Sequence, residues 1–324
     1  MNVTVILCTY NRCQSLAKAL ESVLASDVPE SVSWEVVVAD NNSRDETRAV
    51  AEEFISRYPG RVRYIFEPRQ GKSHALNSGI RESKASVLAF MDDDVTVDLR
   101  WLKNLTQPLL DNDCVGTAGR ILLGDFVPPS WLAIRGPHDL GGSLVQFDLG
   151  EEQIVLERAP FGASMAFQKS LFEKFGGFRT DLGRSGKSLI GNEDTEFGMR
   201  LITAGLRLLY VPSAIVYHPV FEERLTKKYF RSYWYGLGRS LVRERGEQFS
   251  FWMVPRAYVA EFRRRLRWMS MADQYWYRSA QGRFYCEVHA LQALGQIIEG
   301  WSRLTRRQQR LAKNSALSKP DLTR

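Results

Sequence analysis

Cysteine and histidine are scarce, because the chain of 324 residues contains only four of each. The cysteines, Cys8, Cys13, Cys114 and Cys286, are too few and too scattered for a disulfide framework. Neither Cys8 nor Cys13 is accompanied by the further cysteine or histidine pair that a zinc site requires. We therefore expect reduced thiols, as in a cytosolic protein, and no structural zinc.

Long apolar runs and targeting signals are lacking as well. The best candidate for a spanning helix, 249–262, is interrupted by Arg256, and the short apolar start at 3–7 has no basic segment before it. We therefore expect neither a secretory signal nor a spanning anchor. The expected location is cytoplasmic, and at most peripheral to the inner face of the membrane.

The formal net charge of +7 is unevenly distributed. Basic residues concentrate from Lys227 onward and include the run Arg263-Arg264-Arg265, whereas acidic residues dominate much of the first half. Such asymmetry is typical of proteins that bind nucleic acid or an anionic membrane surface, but a solvated helix face produces it equally well. Charge alone leaves these alternatives open.

Short apolar runs alternate with segments of helical periodicity over the first 120 residues. The pattern predicts strands at 3–7, 35–39, 63–66 and 86–91, and helices at 15–24, 44–57 and 73–82. This alternation favours an α/β fold in which a doubly wound parallel sheet carries helices on both faces. Ligands of such sheets bind at the carboxyl ends of the strands.

Three of these strand ends carry polar clusters. They read Cys8-Thr9-Tyr10-Asn11-Arg12, Asp40-Asn41-Asn42-Ser43 and Asp92-Asp93-Asp94. Three consecutive carboxylates repel one another unless a cation or hydrogen bonds compensate them. Their oxygen atoms suit Mg²⁺ or Mn²⁺, which commonly joins protein carboxylates to substrate phosphates. The third cluster therefore predicts a divalent metal site, with a solvated acidic turn as the alternative.

Two further motifs near these ends have simpler interpretations. Ser43 and Glu46 have the spacing of a helix capping box, which would leave Asp40 free to accept a hydrogen bond from a ligand. Gly71-Lys72-Ser73 resembles the end of a phosphate-binding loop, but the first glycine of that motif is missing, which excludes a Walker-type site. Lys72 remains a single cation available to a diphosphate or a base.

The pattern is less regular between 121 and 221. An excursion rich in glycine and proline spans 124–150, and a strand at 162–167 precedes a helix that begins at Lys169. After a Gly-rich loop at 180–192, the pattern predicts a helix at 193–204 and two short strands at 207–211 and 214–217.

The helix predicted at 193–204 begins with Glu193, Asp194 and Glu196. Acids in the first turn stabilise a helix through its dipole, whatever their further role. The Gly-rich loop before them gives Asp194 a second interpretation, as a general base over which an ordering loop closes. His218, which follows an apolar strand, is either a hydrogen-bonded structural residue or a ligand of a nearby metal.

Five motifs, in this order, resemble those of family 2 glycosyltransferases with the GT-A fold. They are Cys8-Thr9-Tyr10-Asn11-Arg12, Val37-Val38-Ala39-Asp40-Asn41-Asn42-Ser43, Gly71-Lys72-Ser73-His74-Ala75-Leu76-Asn77, Asp92-Asp93-Asp94 and Glu193-Asp194. The resemblance extends from Asn2 to Pro219 and implies a GT-A mixed sheet flanked by helices. It also implies an enzyme of the hexosyltransferase class that inverts the anomeric carbon by direct displacement.

The resemblance implies a nucleotide site at the ends of the first strands. Thr9, Tyr10 and Asp40 would contact the base, with Asp40 accepting a hydrogen bond from a uracil-type imide. The other residues assigned to the nucleotide are Arg12, Asn42, Lys72 and Asp93, and those assigned to the donor or acceptor sugar are Gly162, Ala163 and Glu193.

The resemblance further implies a metal and a catalytic base. Asp92 would face the ribose or the metal, Asp94 would ligate the Mg²⁺ or Mn²⁺ bound to the diphosphate, and His218 would complete the metal shell. Asp194 would deprotonate the acceptor hydroxyl. The expected donor is a nucleotide sugar, most often a UDP-sugar, and the expected acceptor is a saccharide or a lipid-linked molecule, with no nucleic acid involved.

Two departures and two alternatives bear on this interpretation. Asn41 stands where many relatives carry a second acid, and the Gln-x-x-Arg-Trp signature of processive synthases is absent, which favours single-sugar transfer. A nucleotidyltransferase also uses an acid pair on a nucleotide-binding sheet, but usually begins with a Gly-rich loop that 8–12 lacks. The other alternative is a non-catalytic membrane- or nucleic-acid-binding protein on a transferase fold, against which Asp94 and Asp194 together argue.

We predict a catalytic domain at 1–221, with a nucleotide-binding half at 1–120 and an acceptor half at 121–221. A helical, basic and aromatic-rich region follows at 222–324. Within it, 249–271 combines aromatic residues with arginines, which suits a helix lying in a membrane interface from about Arg256. The alternative is ordinary packing, against the catalytic domain or in a homodimer.

Overall fold

Strands and helices alternate as far as Asp92 in the computed structural model, as the sequence predicts. The strands are β1 (Val3–Thr9), β2 (Trp34–Asp40), β3 (Val62–Phe66) and β4 (Val87–Asp92), and the helices are α1 (Cys13–Leu24), α2 (Thr47–Arg57) and α3 (Lys72–Glu82). The four strands pair in the order β3-β2-β1-β4 and are parallel. This confirms the parallel arrangement predicted for the first part of the chain.

The structure describes residues 2–186, 188–246, 259–260, 263 and 279–317, with side chains to residue 305. The described residues form two compact units. The first comprises residues up to Pro128 together with Leu140–Leu225, and the second comprises Pro129–Asp139 together with residues from Thr226 on. The division into 1–120, 121–221 and 222–324 stays a prediction.

Every residue of β1 and β2 is buried. Strands buried on both faces are typical of a parallel sheet that helices cover on each side. On α1, the buried residues Leu16, Leu20 and Val23 follow the helical repeat and form one apolar face. The core thus holds the strands rigidly and leaves the polar residues that follow them at one edge of the sheet.

The rest of the sheet is mixed. Its elements are β5 (Thr96–Val97), α4 (Trp101–Leu110), β6 (Gly116–Leu123), β7 (Ile154–Val155), β8 (Met165–Gln168), α5 (Ser170–Phe175), α6 (Glu193–Thr203) and β9 (Leu208–His218). β8 lies antiparallel between β4 and β6, whereas β6 and β9 are parallel. A mixed sheet with flanking helices is the fold class that the motif resemblance implies.

β9 is one strand where the sequence predicts two, at 207–211 and 214–217. In its pairing with β6, Gly119 faces Val211 and the next residue, Arg120, faces Ile215. The intervening residues of β9, which begin with Pro212, therefore form a bulge. Proline cannot donate to the ladder, so the sequence indicates a strand end although the strand continues.

The second unit is built on two helices, α7 (Lys227–Glu244) and α8 (Ala280–Leu317). They approach closely at Gly238, where a Cβ would lie 1.9 Å from the carbonyl oxygen of Gln292. Only glycine permits this approach of two helix backbones. The helical character predicted for the C-terminal region is confirmed for the described residues.

The predicted amphipathic segment 249–271 lies outside the described residues, apart from 259, 260 and 263. Its membrane interface therefore stays a prediction. None of the helices in the described part of the chain combines the length and the apolarity that crossing a bilayer requires.

Candidate functional site

A buried group of acids follows β4. Asp92 is the last residue of that strand, and Asp93 and Asp94 in the following turn are only 4% and 7% exposed. β1 pairs with β4 so that Cys8 faces Asp92, and the loop after β1 therefore brings Arg12 to this turn. Arg12 Nη1 donates to Asp93 Oδ1 at 3.0 Å and to Asp94 Oδ2 at 2.8 Å. The sheet thus brings two of the predicted polar clusters, at 8–12 and 92–94, into contact.

A second arginine, Arg224, contacts the carboxylate of Asp94. Sequence reasoning missed this residue. Arg224 lies in a short 3₁₀ turn, Glu222–Arg224, after β9, and is 9% exposed. Its Nη2 donates to Asp94 Oδ2 at 3.2 Å, and its guanidinium carbon lies 5.0 Å from the ring centre of Phe221. No motif marks Arg224 for this position.

The other carboxylate oxygen of Asp94 has a different environment. Although Oδ1 is buried, it has no hydrogen-bond partner among the described residues. His218, the last residue of β9, places Nε2 3.6 Å from it. Burial lowers the pKa of His218, which keeps the imidazole neutral at pH 7 and available as a ligand.

The charged form of Asp93 is disfavoured in this buried turn. Burial raises the pKa of Asp93 to about 6, and the charge of Asp94 adds to this effect, because together they outweigh the influence of Arg12. Neighbouring carboxylates disfavour each other's charged form unless cations or hydrogen bonds intervene. A cation bound at this turn would stabilise the charged form of Asp93.

A metal site of two protein ligands fits this arrangement. No group of three or more His, Cys, Asp or Glu side chains converges as a metal site in the part of the chain that is described. Mg²⁺, however, is commonly held by one or two carboxylates, with substrate phosphates and water as its other ligands. Asp94 Oδ1 and His218 Nε2, 3.6 Å apart, could provide two ligands of such a site.

Lys72 connects the first acid of this group with α6. Its Nζ donates to Asp92 Oδ1 at 2.7 Å and lies 3.4 Å from Glu193 Oε1. Burial alone would lower the pKa of Lys72, but the charges of Asp92 and Glu193 outweigh it and hold that pKa well above its ordinary value. Burial raises the pKa of Glu193 in spite of the lysine. Lys72 is therefore a charged bridge between β4 and α6.

The carboxylate of Asp194 is held at the start of α6. Its Oδ2 accepts a hydrogen bond from the Gly162 N–H at 2.6 Å, and its Oδ1 accepts one from the Thr195 N–H at 2.7 Å. A Cβ at position 162 would lie 3.0 Å from Asp194 Oδ2 and 3.4 Å from Lys72 Nζ, so glycine allows the turn before β8 to approach both. The predicted residues Gly162, Lys72, Glu193 and Asp194 thus form one cluster.

Both carboxylate oxygens of Asp40 have a protein partner. Its Oδ2 accepts from the Tyr64 hydroxyl at 2.7 Å and its Oδ1 from the Ser43 N–H at 2.9 Å. Ser43 Oγ accepts from the Asn11 N–H at 2.9 Å, and α2 has no side-chain cap. The capping box predicted from Ser43 and Glu46 is therefore wrong, because Ser43 Oγ binds the loop after β1 and not the first turn of α2. Each oxygen of Asp40 accepts one hydrogen bond from the protein, and its contact with a base or ribose stays a prediction.

The remaining predicted residues lie near these clusters in the fold. Thr9 is the register partner of Asp40 and is buried, whereas the next residue, Tyr10, is 37% exposed. Asn42 has a left-handed backbone with φ of 64°, which asparagine adopts more readily than most residues. Ala163 is fully buried beside Gly162. Their contacts with a ligand stay predictions.

The Gly-rich loop before α6 is hydrogen-bonded to α3. Ser73 Oγ donates to the Leu182 carbonyl at 2.9 Å, and the Asn77 amide exchanges two hydrogen bonds with the backbone of Phe178, at 2.8 and 2.9 Å. Sequence reasoning missed both anchoring residues. Their spacing was the available signal, since polar residues four apart lie on one face of a helix.

Comparison with known proteins identifies the family. Residues 4–151 match the family described as glycosyl transferase family 2. The chain is 30% identical over 240 residues to the succinoglycan biosynthesis protein ExoM of Rhizobium meliloti, which covers 72% of this chain and 73% of ExoM. The chain belongs to glycosyltransferase family 2.

Further relatives agree with this membership. The chain is 27% identical over 254 residues to a glucosyl-dolichyl phosphate glucuronosyltransferase of Haloferax volcanii, covering 75% of this chain and 77% of that protein. The family resemblance drawn from the five motifs is thus confirmed, and so is the expectation of a glycosyltransferase. The family match at 4–151 includes Arg12, Lys72 and the acids after β4, whereas Asp194 and Arg224 lie beyond it.

Solved structures show the same fold. The mannosyltransferase PcManGT from Pyrobaculum calidifontis, in complex with GDP-Man and Mn²⁺, aligns with a TM-score of 0.56 at 20% identity, covering 98% of this chain and 80% of that one. GalNAc-T7 with UDP, GalNAc and Mn²⁺ aligns with a TM-score of 0.55 at 19% identity, covering 89% and 54%. The glycosyltransferase therefore has a GT-A-type fold, as its motifs imply.

Proposed function

We propose that this glycosyltransferase moves a single sugar from a nucleoside-diphosphate sugar to an acceptor hydroxyl, with inversion at the anomeric carbon. The observation that carries the proposal is the presence of two different carboxylate sites. Asp94 is buried beside two arginines and a histidine, whereas Asp194 is oriented by two backbone N–H groups. These sites match the two needs of the reaction, compensation of the leaving diphosphate and removal of a proton from the attacking hydroxyl.

Asp194 is the general base in this proposal. Its carboxylate takes the proton of the acceptor hydroxyl while that oxygen forms its bond to the anomeric carbon. The bond between the anomeric carbon and the diphosphate oxygen breaks, and its electron pair leaves with the diphosphate. Attack and departure occur on opposite faces of the sugar, so the configuration inverts. The N–H groups of Gly162 and Thr195 hold the carboxylate in one orientation, which favours such an attack.

Asp94 and His218 are the proposed ligands of Mg²⁺ or Mn²⁺, with Asp92 as a further candidate. Support comes from Asp94 Oδ1, which lies 3.6 Å from His218 Nε2 and has no hydrogen-bond partner within the described part of the chain. The Mn²⁺ in the structures of PcManGT and GalNAc-T7 supports it as well. When bound, such an ion neutralises charge on the departing diphosphate. Arg12 and Lys72 contribute fixed positive charge on the protein side.

The nucleotide is proposed to lie over the ends of β1 and β2, near Thr9, Tyr10, Asp40 and Asn42. UDP is the first candidate, because the motif resemblance assigns a uracil-type contact to Asp40. Both oxygens of Asp40 already accept one hydrogen bond, but a carboxylate has about four lone-pair sites. Asp40 can therefore accept a further bond from a base without losing Tyr64 or Ser43.

The acceptor is proposed to be a saccharide or a lipid-linked saccharide. ExoM is named for succinoglycan biosynthesis, and the Haloferax volcanii protein is a glucuronosyltransferase of glucosyl-dolichyl phosphate. These names support a carbohydrate acceptor in one case and a lipid-linked one in the other. Both classes belong in the acceptor panel.

The test is a donor panel read by mass spectrometry. We expect one of several UDP- and GDP-sugars to release its nucleoside diphosphate in the presence of Mn²⁺, and a chelator to abolish the release. The sugar first released by slow hydrolysis, followed by NMR, should have the anomeric configuration opposite to that of the donor. Retention of configuration, or release that ignores the chelator, would contradict the proposal. Pyrophosphate release from a nucleoside triphosphate and a sugar phosphate would support a nucleotidyltransferase instead.

A further inference from the structure

Arg224 is a buried charged residue that lies beside Asp94 and to which the proposed function assigns no contact with the donor. It lies beyond the family match at 4–151 and outside each of the five motifs. Its Nη2 nevertheless donates to Asp94 Oδ2 at 3.2 Å, and the residue is only 9% exposed. Burying a guanidinium is costly unless a partner compensates its charge, and Asp94 is that partner.

The pairing at Asp94 is asymmetric. Oδ2 accepts from both Arg12 and Arg224, whereas the buried Oδ1 has no hydrogen-bond partner among the described residues. An arginine paired with a carboxylate for stability alone is often bidentate and uses both oxygens. The crowding of two cations on one oxygen therefore leaves Oδ1 and the nearby His218 for another positive group.

Among the described residues, the hydrogen bond from the Arg224 guanidinium to Asp94 uses one of its nitrogens. Arg224 reaches Asp94 through Nη2, while a guanidinium carries five N–H donors in a planar fork that matches phosphate oxygens. The ring centre of Phe221 lies 5.0 Å from the guanidinium carbon, within the range of a cation–π interaction. A cation that joins Asp94 competes with Arg224 for the same negative charge and so weakens their pairing.

We propose that Arg224 exchanges partners during donor binding: it pairs with Asp94 in the donor-free protein and binds the donor diphosphate once a divalent cation occupies Asp94. The inference rests on the proposed function, which supplies both the diphosphate and the cation. It makes Arg224 a binding residue for the leaving group. In the donor-free protein, Arg224 then supplies at Asp94 the positive charge that the divalent cation supplies in the complex.

If Arg224 exchanges partners in this way, Arg224→Gln should change the affinity for a nucleoside diphosphate and the affinity for Mn²⁺ alone in opposite directions. The affinity for a nucleoside diphosphate in the presence of Mn²⁺ should fall about tenfold or more, because a charge-assisted hydrogen bond to phosphate is lost. The affinity for Mn²⁺ alone should rise, because one competing cation has left Asp94. Arg224→Lys should fall between the wild type and Arg224→Gln, since it keeps the charge but not the fork.

The experiment uses the full chain and calorimetric titration. UDP, GDP and uridine are titrated in the presence of Mn²⁺, and Mn²⁺ is titrated alone. Arg63→Gln is the matched control, because Arg63 pairs with Glu35 through Nε at 2.6 Å and Nη2 at 2.9 Å near the amino ends of β3 and β2, away from the strand ends that carry the site. Uridine binding should be unchanged in every variant, since uridine has no phosphate.

Each outcome supports or overturns the exchange. Weaker diphosphate binding together with tighter Mn²⁺ binding, seen in Arg224→Gln and not in Arg63→Gln, supports it. Unchanged diphosphate affinity overturns it, and so does an equal loss of UDP, uridine and Mn²⁺ binding, which would indicate a structural role. If the wild type binds neither UDP nor GDP, the proposed function fails first. If the wild type binds and Arg224→Gln binds equally, only the exchange fails.

Discussion

Asp40 at the end of β2 and Asp94 after β4 are both buried carboxylates, 1% and 7% exposed, yet the fold treats them differently. Asp40 accepts from two neutral donors, the Tyr64 hydroxyl and the Ser43 N–H, one at each oxygen. Asp94 has two guanidinium groups on one oxygen and, among the described residues, no hydrogen bond at the other. The first region is satisfied by the protein itself. The second retains an unsatisfied buried atom, which in native structures marks a place that needs a further partner.

This difference predicts which substitutions change the free energy of unfolding and which change ligand binding and turnover. Loss of a protein donor to Asp40, such as the Tyr64 hydroxyl, should appear mainly in the free energy of unfolding, because that hydrogen bond belongs to the fold. Substitutions around Asp94 should appear mainly in ligand binding and turnover, because the fold leaves part of its interactions to a ligand. Each of the following variants tests one side of that contrast.

The largest effect is expected from Asp94→Asn. Asparagine keeps the shape but removes the charge that would hold a divalent ion and oppose the arginines, so turnover of the identified donor should fall by about 10²-fold or more. Residual turnover should no longer respond to a chelator. Steady-state kinetics with and without Mn²⁺ measure both effects. Turnover within a few-fold of the wild type would remove Asp94 from the active site.

Asp194→Asn should preserve donor binding and lower kcat by about 10²-fold, the scale expected when a general base is lost. Asparagine is close to aspartate in size, and its amide oxygen can still accept one of the backbone hydrogen bonds that Gly162 and Thr195 donate to Asp194. Donor affinity by calorimetry and kcat by product release separate the two effects. A collapse of donor affinity with normal residual chemistry would make Asp194 a binding residue and place the base elsewhere.

The smallest effect on turnover is expected from Tyr64→Phe. Loss of the hydroxyl removes one hydrogen bond to the buried Asp40, so the free energy of unfolding should decrease by about 1–3 kcal/mol. Donor turnover should change by less than about threefold, because the other oxygen of Asp40 keeps its partner. Urea denaturation and initial rates measure these quantities. A large loss of turnover at unchanged stability would contradict the assignment of this region to the fold.

Local sequence patterns predicted the part of the site that lies directly after β1, β2 and β4. Apolar runs mark those strands, and acids that follow buried strands are visible in the sequence itself. Arg224 could not be predicted this way, because its contact with Asp94 depends on the path of the chain after β9. The pairing of Arg12 with the acids depends in the same way on the register between β1 and β4.

The errors of sequence reasoning have the same physical cause. Ser43 and Glu46 fit a capping box, but Ser43 Oγ accepts from the Asn11 N–H across two loops, a tertiary partner that local spacing cannot show. Pro212 indicates a strand end, but β6 continues to pair with β9 on both sides of the bulge. In both cases a partner distant in the sequence outweighed the local preference.

The most direct test of the contrast is the Mn²⁺-dependent gain in affinity for a nucleoside diphosphate, measured by calorimetry in the wild type, Asp94→Asn and Tyr64→Phe. UDP and GDP serve as the probes, each titrated with and without the metal. We expect Mn²⁺ to raise the affinity for the nucleoside diphosphate in the wild type and in Tyr64→Phe, but not in Asp94→Asn. An equal gain in affinity in all three proteins would show that Asp94 does not take part in binding a metal–diphosphate complex.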